Sequence, residues 1–310
     1  MRFFPARLLC LLVPALWLGC GGEAVHPFFR TTSGRFVFAH RGGGGLLPEA
    51  TLPAFLEAQR RDPDAIIEFD VHQSKDGVLV VIHDSTVDRT TNGQGRVADL
   101  TLDELRQLDA GHCATPGEGD GTAKAEVCRD PARPAEAFPF RGQGFRIPTL
   151  QEVFAALPVS TRLSIEVKAG GFERAFAAAI RASGRADRLV VGSEDDDVAV
   201  RLKDLLPELP HFLPRAAATC FAVGAKFALD YAGCPACQVF ASPLSAAGLA
   251  LDTRGILSAA HDRGMVVIYW TINEEAEIER LLRLGADGVF TDYPDRARRV
   301  IDRLAAEGVR

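Results

Sequence analysis

The sequence predicts an α/β fold, a (β/α)8 barrel, and three observations carry that expectation. From Arg35 onward, strand-like apolar runs alternate with amphipathic helical segments, the pattern of a parallel sheet with crossover helices. There are nine such runs, and one of them is too close to its predecessor to be a ring strand. The polar residues that remain gather at the carboxyl ends of the runs, where barrels of this kind carry their chemistry.

The runs, in order, are "FVFAH" from Phe36, "IIEFD" from Ile66, "LVVIHD" from Leu79, "LSIEVK" from Leu163 and "LVVGS" from Leu189. "HFLPRA" from His211, "CQVFAS" from Cys237, "VVIYWTI" from Val266 and "GVFTD" from Gly288 follow. Between Val71 and Val78 lies only "HQSKDG". A parallel crossover needs a dozen or more residues, whereas Asp76-Gly77 signals a hairpin. "LVVIHD" is therefore expected to fold back antiparallel on the second strand, outside the ring, leaving eight strands to close it. Thr51 is placed to cap "LPAFLEAQRR", with Pro53 in its first turn. "TLDELRQL" opens with a capping box, Thr101 and Glu104. "GFERAFAAAIRAS", "AVRLKDLL" and "EEAEIERLLRLG" have helical spacing, the last stopped by Gly285. Residues 111–145 are rich in Gly, Pro and Ala without sustained periodicity and read as an insertion after the hairpin.

The domain reading is a signal peptide over residues 1–20, a tether over 21–34 and one barrel domain over 35–310. Arg2 and Arg7 flank the apolar run "LLCLLVPALWLGC", which is short for a membrane span and suits a signal core. It stops at Gly19-Cys20, as in a bacterial lipobox, although Trp17 stands where leucine is usual; an ordinary secretory signal is the alternative. The expected protein is exported and held to a membrane by lipid on Cys20. Of seven cysteines, Cys113 and Cys128 share one loop and are a natural pair in an oxidising compartment. Cys220 can pair with Cys234 or Cys237. "CPAC" as a zinc or redox site lacks a second CxxC and a strand-to-helix context. A net charge of −6 without a basic run argues against nucleic-acid binding, and no obligate protein partner is evident.

Residues i and i+2 of a strand face the same way. Glu68 and Asp70 therefore share the barrel interior with Glu166 and Lys168, while Ile67, Phe69 and Val71 face the helices. Three buried carboxylates need neutralising. Arg41 and Lys168 offer internal salt bridges, but an all-oxygen set also suits a hard divalent cation, Mg²⁺ or Ca²⁺, and that reading is favoured because two histidines reach the same rim. His40 and His83 each end an apolar strand there, unlike His72, His112, His211 and His261, which read as ordinary surface or core residues. Imidazole titrates in the range that general acid and base both require. Arg41 offers a fork of donors to phosphate oxygens, and Lys168 adds a point charge. Gly42 is expected to keep a side chain out of the phosphate site, and Gly43 to Gly45 to form a compliant loop. No Gly-Lys-Ser/Thr follows, so this is not a P-loop.

The ordered motifs "AHRGG…PEAT", "EFDV", "VVIHDSTVDRTTNGQG", "IPTLQEV", "IEVK", "YWTIN" and "GVFTDYP" run from about Phe36 to Pro294, and together they resemble the glycerophosphodiester phosphodiesterase family. The resemblance implies a metal-dependent (β/α)8 enzyme that hydrolyses small glycerophosphodiesters to an alcohol and sn-glycerol 3-phosphate. Carried over motif by motif, His40 and His83 are the implied acid–base pair, and Glu68, Asp70 and Glu166 the implied metal ligands. Arg41 and Lys168, with Glu49 and Trp270, are the implied phosphate and substrate contacts. One departure is Ala50, where the family usually has asparagine. The alternatives are a phospholipase C- or D-type enzyme on the same barrel, which would need an apolar membrane-facing rim not evident in the sequence, and a surface-anchored binding lipoprotein without turnover.

Overall fold

The computed structural model describes residues 26–30, 34–115, 117, 128, 132–227 and 238–309. The signal peptide, Cys20, Cys234 and Cys237 lie outside the described residues, as does any pairing of Cys220 with the latter two. The strands are β1 (Phe36–Ala39), β2 (Ile66–Gln73), β3 (Leu79–Val81), β4 (Leu163–Val167), β5 (Leu189–Gly192), β6 (Val239–Ser242), β7 (Ser245–Ala246), β8 (Leu249–Ala250), β9 (Val266–Tyr269) and β10 (Gly288–Thr291). Seven of them pair in parallel in the order β5-β4-β2-β1-β10-β9-β6. Parallel bridges from Val191 to His211 and from Phe212 to Val239 close the ring with an eighth stave. That stave, expected as a full strand, is only two residues wide. Pro210 and Pro214 bracket it and have no N–H to give a ladder.

β3 pairs antiparallel with β2 outside the ring, Val71 opposite Val81, as the short "HQSKDG" connection requires. The helices are α1 (Leu52–Arg61), α2 (Leu102–Arg106), α3 (Leu150–Ala156), α4 (Glu173–Ser183), α5 (Asp196–Leu205), α6 (Arg215–Phe227), α7 (Arg254–His261), α8 (Glu275–Leu284) and α9 (Pro294–Ala306). Thr51 caps α1, Thr101 and Glu104 form their reciprocal capping box, and Gly285 ends α8 in the left-handed region. Thr149 and Glu152 form a second capping box that returns the chain to the barrel at α3. Among the described residues, no helix is long and apolar enough to cross a membrane.

Strand parity sorts the core into two. Ile67, Phe69, Val71, Ile165, Val191 and Val267 pack under the helices. Phe36, Phe38, Ile66, Val190, Val239, Ile268 and Phe290 fill the barrel interior. Part of the segment expected as a tether is packed: Pro27–Phe29 make a 3-10 turn, and both phenylalanines join the interior cluster, Phe29 edge-on to Phe36 at 5.4 Å. The insertion is stapled by the Cys113–Cys128 disulfide, Cα atoms 5.0 Å apart. Phe138 packs on that bridge, and Arg141 lies over the Phe138 ring while donating to the carbonyls of His112 and Cys128.

Candidate active site

β1 ends by reversing direction. Arg41, Gly42 and Gly43 all have positive φ, at 50°, 79° and 80°. This unusual run aims the Arg41 backbone N–H at Glu68 Oε2, 2.8 Å away, and a non-glycine residue held there marks a conformation the surroundings enforce. A Cβ on Gly42 would lie 2.2 Å from the Phe55 ring. Gly42 is thus required by packing against α1, not by the phosphate site. Nor is the stretch that follows a compliant loop. The Gly44 N–H donates to the His40 carbonyl and that of Gly45 to the Asp292 carbonyl, and a Cβ on Gly45 would collide with the Tyr293 ring at 2.4 Å. Ala50, the departure from the family pattern, sits at φ 56°, a backbone region that asparagine tolerates and alanine does not favour. This supplies a physical reason for the usual residue.

His40 and His83 are both anchored through Nδ1. His40 Nδ1 lies 2.8 Å from Asp292 Oδ1, and Asn273 orients that carboxylate from its other oxygen at 2.8 Å. His83 Nδ1 lies 2.6 Å from Asp84 Oδ1. A carboxylate on Nδ1 fixes the proton there and leaves Nε2 as the nitrogen available to a substrate. Arg89 joins the two sides of the mouth. It donates to Asp84 at 2.7 and 3.1 Å and to both oxygens of Glu49 at 2.8 and 2.7 Å, and Glu49 also accepts from Arg41 at 3.0 Å. Although burial opposes it, Arg41 and Arg89 hold the Glu49 carboxyl well below the carboxylate range. Glu49 therefore braces Arg41 from behind, and it is not among the cavity's lining residues. Asp84 is likewise held low against burial, by hydrogen bonds from His83 and Arg89.

Glu68, Asp70, Glu166 and Lys168 share the interior, as parity requires, with Asp70 opposite Glu166 in register. Lys168 Nζ bridges Asp70 at 3.0 Å and Glu166 at 2.9 Å. Burial, and then the charge of Asp70, push Glu68 and Glu166 up to about 7. Burial also acts on Asp70, but Lys168, His83 and Arg41 outweigh it and keep that carboxyl below its ordinary value. With Lys168 inserted between Asp70 and Glu166, no three acidic, histidine or cysteine side chains among the described residues converge as ready metal ligands. The donor set nonetheless fits a hard cation. Asp70 Oδ2 and Glu166 Oε1 are buried without a hydrogen-bond partner, and one ammonium does not balance three carboxylates. Arg41 Nε is equally buried and unpartnered, a donor suited to an anion in the cavity.

His40, Arg41, Glu68, Asp70, His83, Glu166, Lys168 and Trp270 all line one cavity of about 810 Å³. Reasoning from the sequence assigned no role to Asp292, Asp84, Asn273 or Arg89. Asp84 and Arg89 lie in the quoted "HDSTVDR" and Asn273 and Asp292 in "YWTIN" and "GVFTDYP", so adjacency to a motif was the available signal.

Two carboxylate-anchored imidazoles face a guanidinium and buried acids at the mouth of a parallel barrel, an arrangement equipped for acid–base chemistry on an anionic substrate. Residues 40–296 match the model of the glycerophosphoryl diester phosphodiesterase family. A glycerophosphodiester phosphodiesterase of Caldanaerobacter subterraneus subsp. tengcongensis is 32% identical over 84% of this chain and 94% of its own length. One from Bacillus subtilis is 29% identical over 95% of this chain and 97% of its own. An Oleispira antarctica phosphodiesterase, solved in complex with its product sn-glycerol-3-phosphate, is 27% identical, with a TM-score of 0.63 over 86% of this chain and 96% of that one. The chain belongs to the glycerophosphoryl diester phosphodiesterase family, and it is a phosphodiesterase on a (β/α)8 barrel.

Proposed function

We propose that the chain hydrolyses glycerophosphodiesters to an alcohol and sn-glycerol 3-phosphate, with His40 and His83 dividing the acid and base roles. The observation that carries this is the pair of imidazoles, each fixed through Nδ1 by its own carboxylate, on one cavity with Arg41. Arg41 Nε and Lys168 bind and orient the phosphate, while Glu68, Asp70 and Glu166 hold a divalent cation, Mg²⁺ or Ca²⁺. Such a cation supplies charge stabilisation to phosphoryl oxygens. One histidine takes the proton of the attacking hydroxyl or water, and the other gives a proton to the departing alkoxide. The product named for the Oleispira antarctica relative supports the assignment of glycerol 3-phosphate.

The test separates the two histidines. Glycerophosphocholine expels a poor leaving group that needs a proton, whereas a nitrophenyl ester of glycerol phosphate expels a stable phenolate. Losing the acid is expected to cost about 10²–10⁴-fold on the first substrate and little on the second. Losing the base is expected to cost similar factors on both. One of His40→Ala and His83→Ala, and only one, should be rescued by the activated diester; equal behaviour of the two variants overturns separate roles.

We further propose that the enzyme works outside the cytoplasm on a lipid anchor at Cys20. The export-like apolar run and the disulfide-forming pair Cys113 and Cys128 support this. Cys20→Ser should release the protein from membranes or leave it unprocessed, and wild-type protein that is soluble after export refutes it.

A further inference from the structure

We propose that the Cys113–Cys128 disulfide positions the reacting groups: it closes the insertion against the turn that carries Arg89, and through Arg89 it sets His83 and Arg41. This rests on the phosphodiesterase reading of the same site. The two imidazoles are not supported alike. His40 leaves a ring strand directly, and its side chain and that of Asp292 are 14% and 1% exposed. His83 and Asp84 are 31% and 25% exposed, and they follow β3, outside the ring. The His83 backbone is tied back to β2, since the Ile82 N–H donates to the Asp70 carbonyl at 3.1 Å. Its anchoring carboxylate, Asp84, is held instead by Arg89.

Arg89 stands on a turn closed by Thr91, whose N–H and hydroxyl both donate to the Val87 carbonyl, at 3.2 and 2.7 Å. That turn rests on the start of the insertion. The Thr91 carbonyl oxygen lies 3.7 Å from Cys113 Sγ. Asn92 Oδ1 accepts from the Asp109 N–H at 2.8 Å, and a Cβ on Gly93 would lie 2.7 Å from the Leu108 side chain. The return limb of the insertion is drawn onto the same segment by the disulfide, by Arg141 on the His112 and Cys128 carbonyls, and by the Gly142 N–H on Asp109. The turn belongs to a lobe with its own apolar centre, which includes Val80, Val87, Leu105 and Phe145 and is separate from the barrel's two cores. One path therefore runs from the disulfide through Thr91 to Arg89. From there it reaches Asp84 and His83 on one side, and Glu49 and Arg41 on the other. Cys113 and Cys128 are buried. Without the bond, two thiols need more room and two alanines leave a gap, and either way the segment under Thr91 shifts. A misplacement of about 1 Å remote from the chemistry can cost about 10²-fold.

The test is a mutant cycle on glycerophosphocholine hydrolysis. It compares wild type, Cys113→Ala/Cys128→Ala, Arg89→Met and the triple variant, at a temperature where circular dichroism shows each to be folded. The cysteine pair is expected to lower kcat/KM by about 10- to 100-fold. The triple variant is expected to be no slower than Arg89→Met, because both changes act through one contact. A cross-link that only stabilises the fold leaves the rate of folded protein unchanged, and one that acts elsewhere multiplies its loss with that of Arg89→Met; either result overturns the proposal. Reduction of wild type with dithiothreitol, checked by thiol titration, gives a second measurement. The S–S bond breaks, each cysteine sulfur gains a hydrogen, and the reagent closes its own disulfide. Activity is expected to fall by the same factor and to return once oxidised glutathione restores the bond, while Cys113→Ala/Cys128→Ala is indifferent to both reagents. Unfolding of both the variant and the reduced protein overturns the proposal, since the bond then holds the fold and not the site. Failure of oxidised wild type to hydrolyse glycerophosphocholine overturns the phosphodiesterase reading instead.

Discussion

Arg89 is the residue whose loss should reach furthest, because two half-buried to buried carboxylates on different sides of the mouth depend on it. In Arg89→Met the four hydrogen bonds to Glu49 and Asp84 disappear, and the apolar side chain leaves both acids short of a counter-charge. Removing one partner of a buried pair costs about 3–5 kcal/mol. Arg89 retains 15% side-chain exposure and Asp84 25%, so the lower end, about 3 kcal/mol, is expected. For a chain of this size that corresponds to a fall in Tm of roughly 5 °C. The pH dependence follows from the carboxylates. Their folded pKa values lie below the ordinary 4.5 and 3.8, so the stability they contribute is present above those values and is lost as pH falls through the folded ones. The gap between wild type and variant should therefore be full at pH 7 and narrow below about pH 4. Activity should also fall, by up to about 10²-fold, because Asp84 no longer holds His83 in place. Arg89→Lys should recover only part of both effects, since an ammonium does not reproduce the fork. Differential scanning calorimetry from pH 3 to 7 checks this. Equal melting of Arg89→Met and wild type at pH 7, or a deficit that persists unchanged at pH 3, refutes the reasoning.

Asp70→Asn keeps the shape of the carboxylate trio proposed to hold the cation but removes a charge. Divalent-cation affinity should fall at least about tenfold, with activity partly restored at high cation, and full activity of the variant in chelator would eliminate the three-carboxylate site. Ala50→Asn places a residue tolerant of φ 56° at a strained position and should raise stability by up to about 1 kcal/mol. That is read as an increase of up to roughly 2 °C in Tm, and an unchanged or lower Tm counts against backbone strain there.

The ring, the antiparallel hairpin and the division of β2 into inward acids and outward hydrophobes were legible because they depend on a period of two and on connection length. Those are properties of neighbouring residues. Glu49 was legible as an acid but not in its role. Its placement depends on Arg89, 40 positions away, and on an Arg41 whose backbone is turned by a left-handed φ. Asp292 is 252 positions from the His40 it anchors, a relation that ring closure creates and local pattern does not contain. Gly42 shows the same limit: the need for a missing side chain was readable, but the atom that forbids it, the Phe55 ring, belongs to α1. The phenylalanines of Pro27–Phe29 looked like tether because a two-residue apolar pair has no period. The apolar half of the cavity was not legible for a related reason, since Phe212, Leu213, Val223, Leu249 and Leu251 are brought together from separate elements.

The same charges that suggest a cation also predict how the metal-free protein responds to pH. Glu68 and Glu166 are pushed up to about 7 from 4.5. Between these values the fold keeps protons that the unfolded chain has released, so stability falls as pH rises and levels off above about 7. One carboxyl moved that far corresponds to about 3 kcal/mol. The strongly held Glu49 and Asp84 contribute no slope in this window, because their changes lie below pH 4. His72 and His211, whose pKa values burial lowers, add an opposite slope near pH 6.5, so the comparison must be with Glu68→Gln/Glu166→Gln, which retains both histidines. Relative to that variant, chelated wild type should lose stability from pH 5 to pH 7. A divalent cation displaces those protons, so its stabilisation should grow over the same interval in wild type and be much smaller in the double variant. Parallel stability profiles for the two proteins, with and without cation, would mean that Lys168 alone neutralises the trio and that these carboxylates hold no metal.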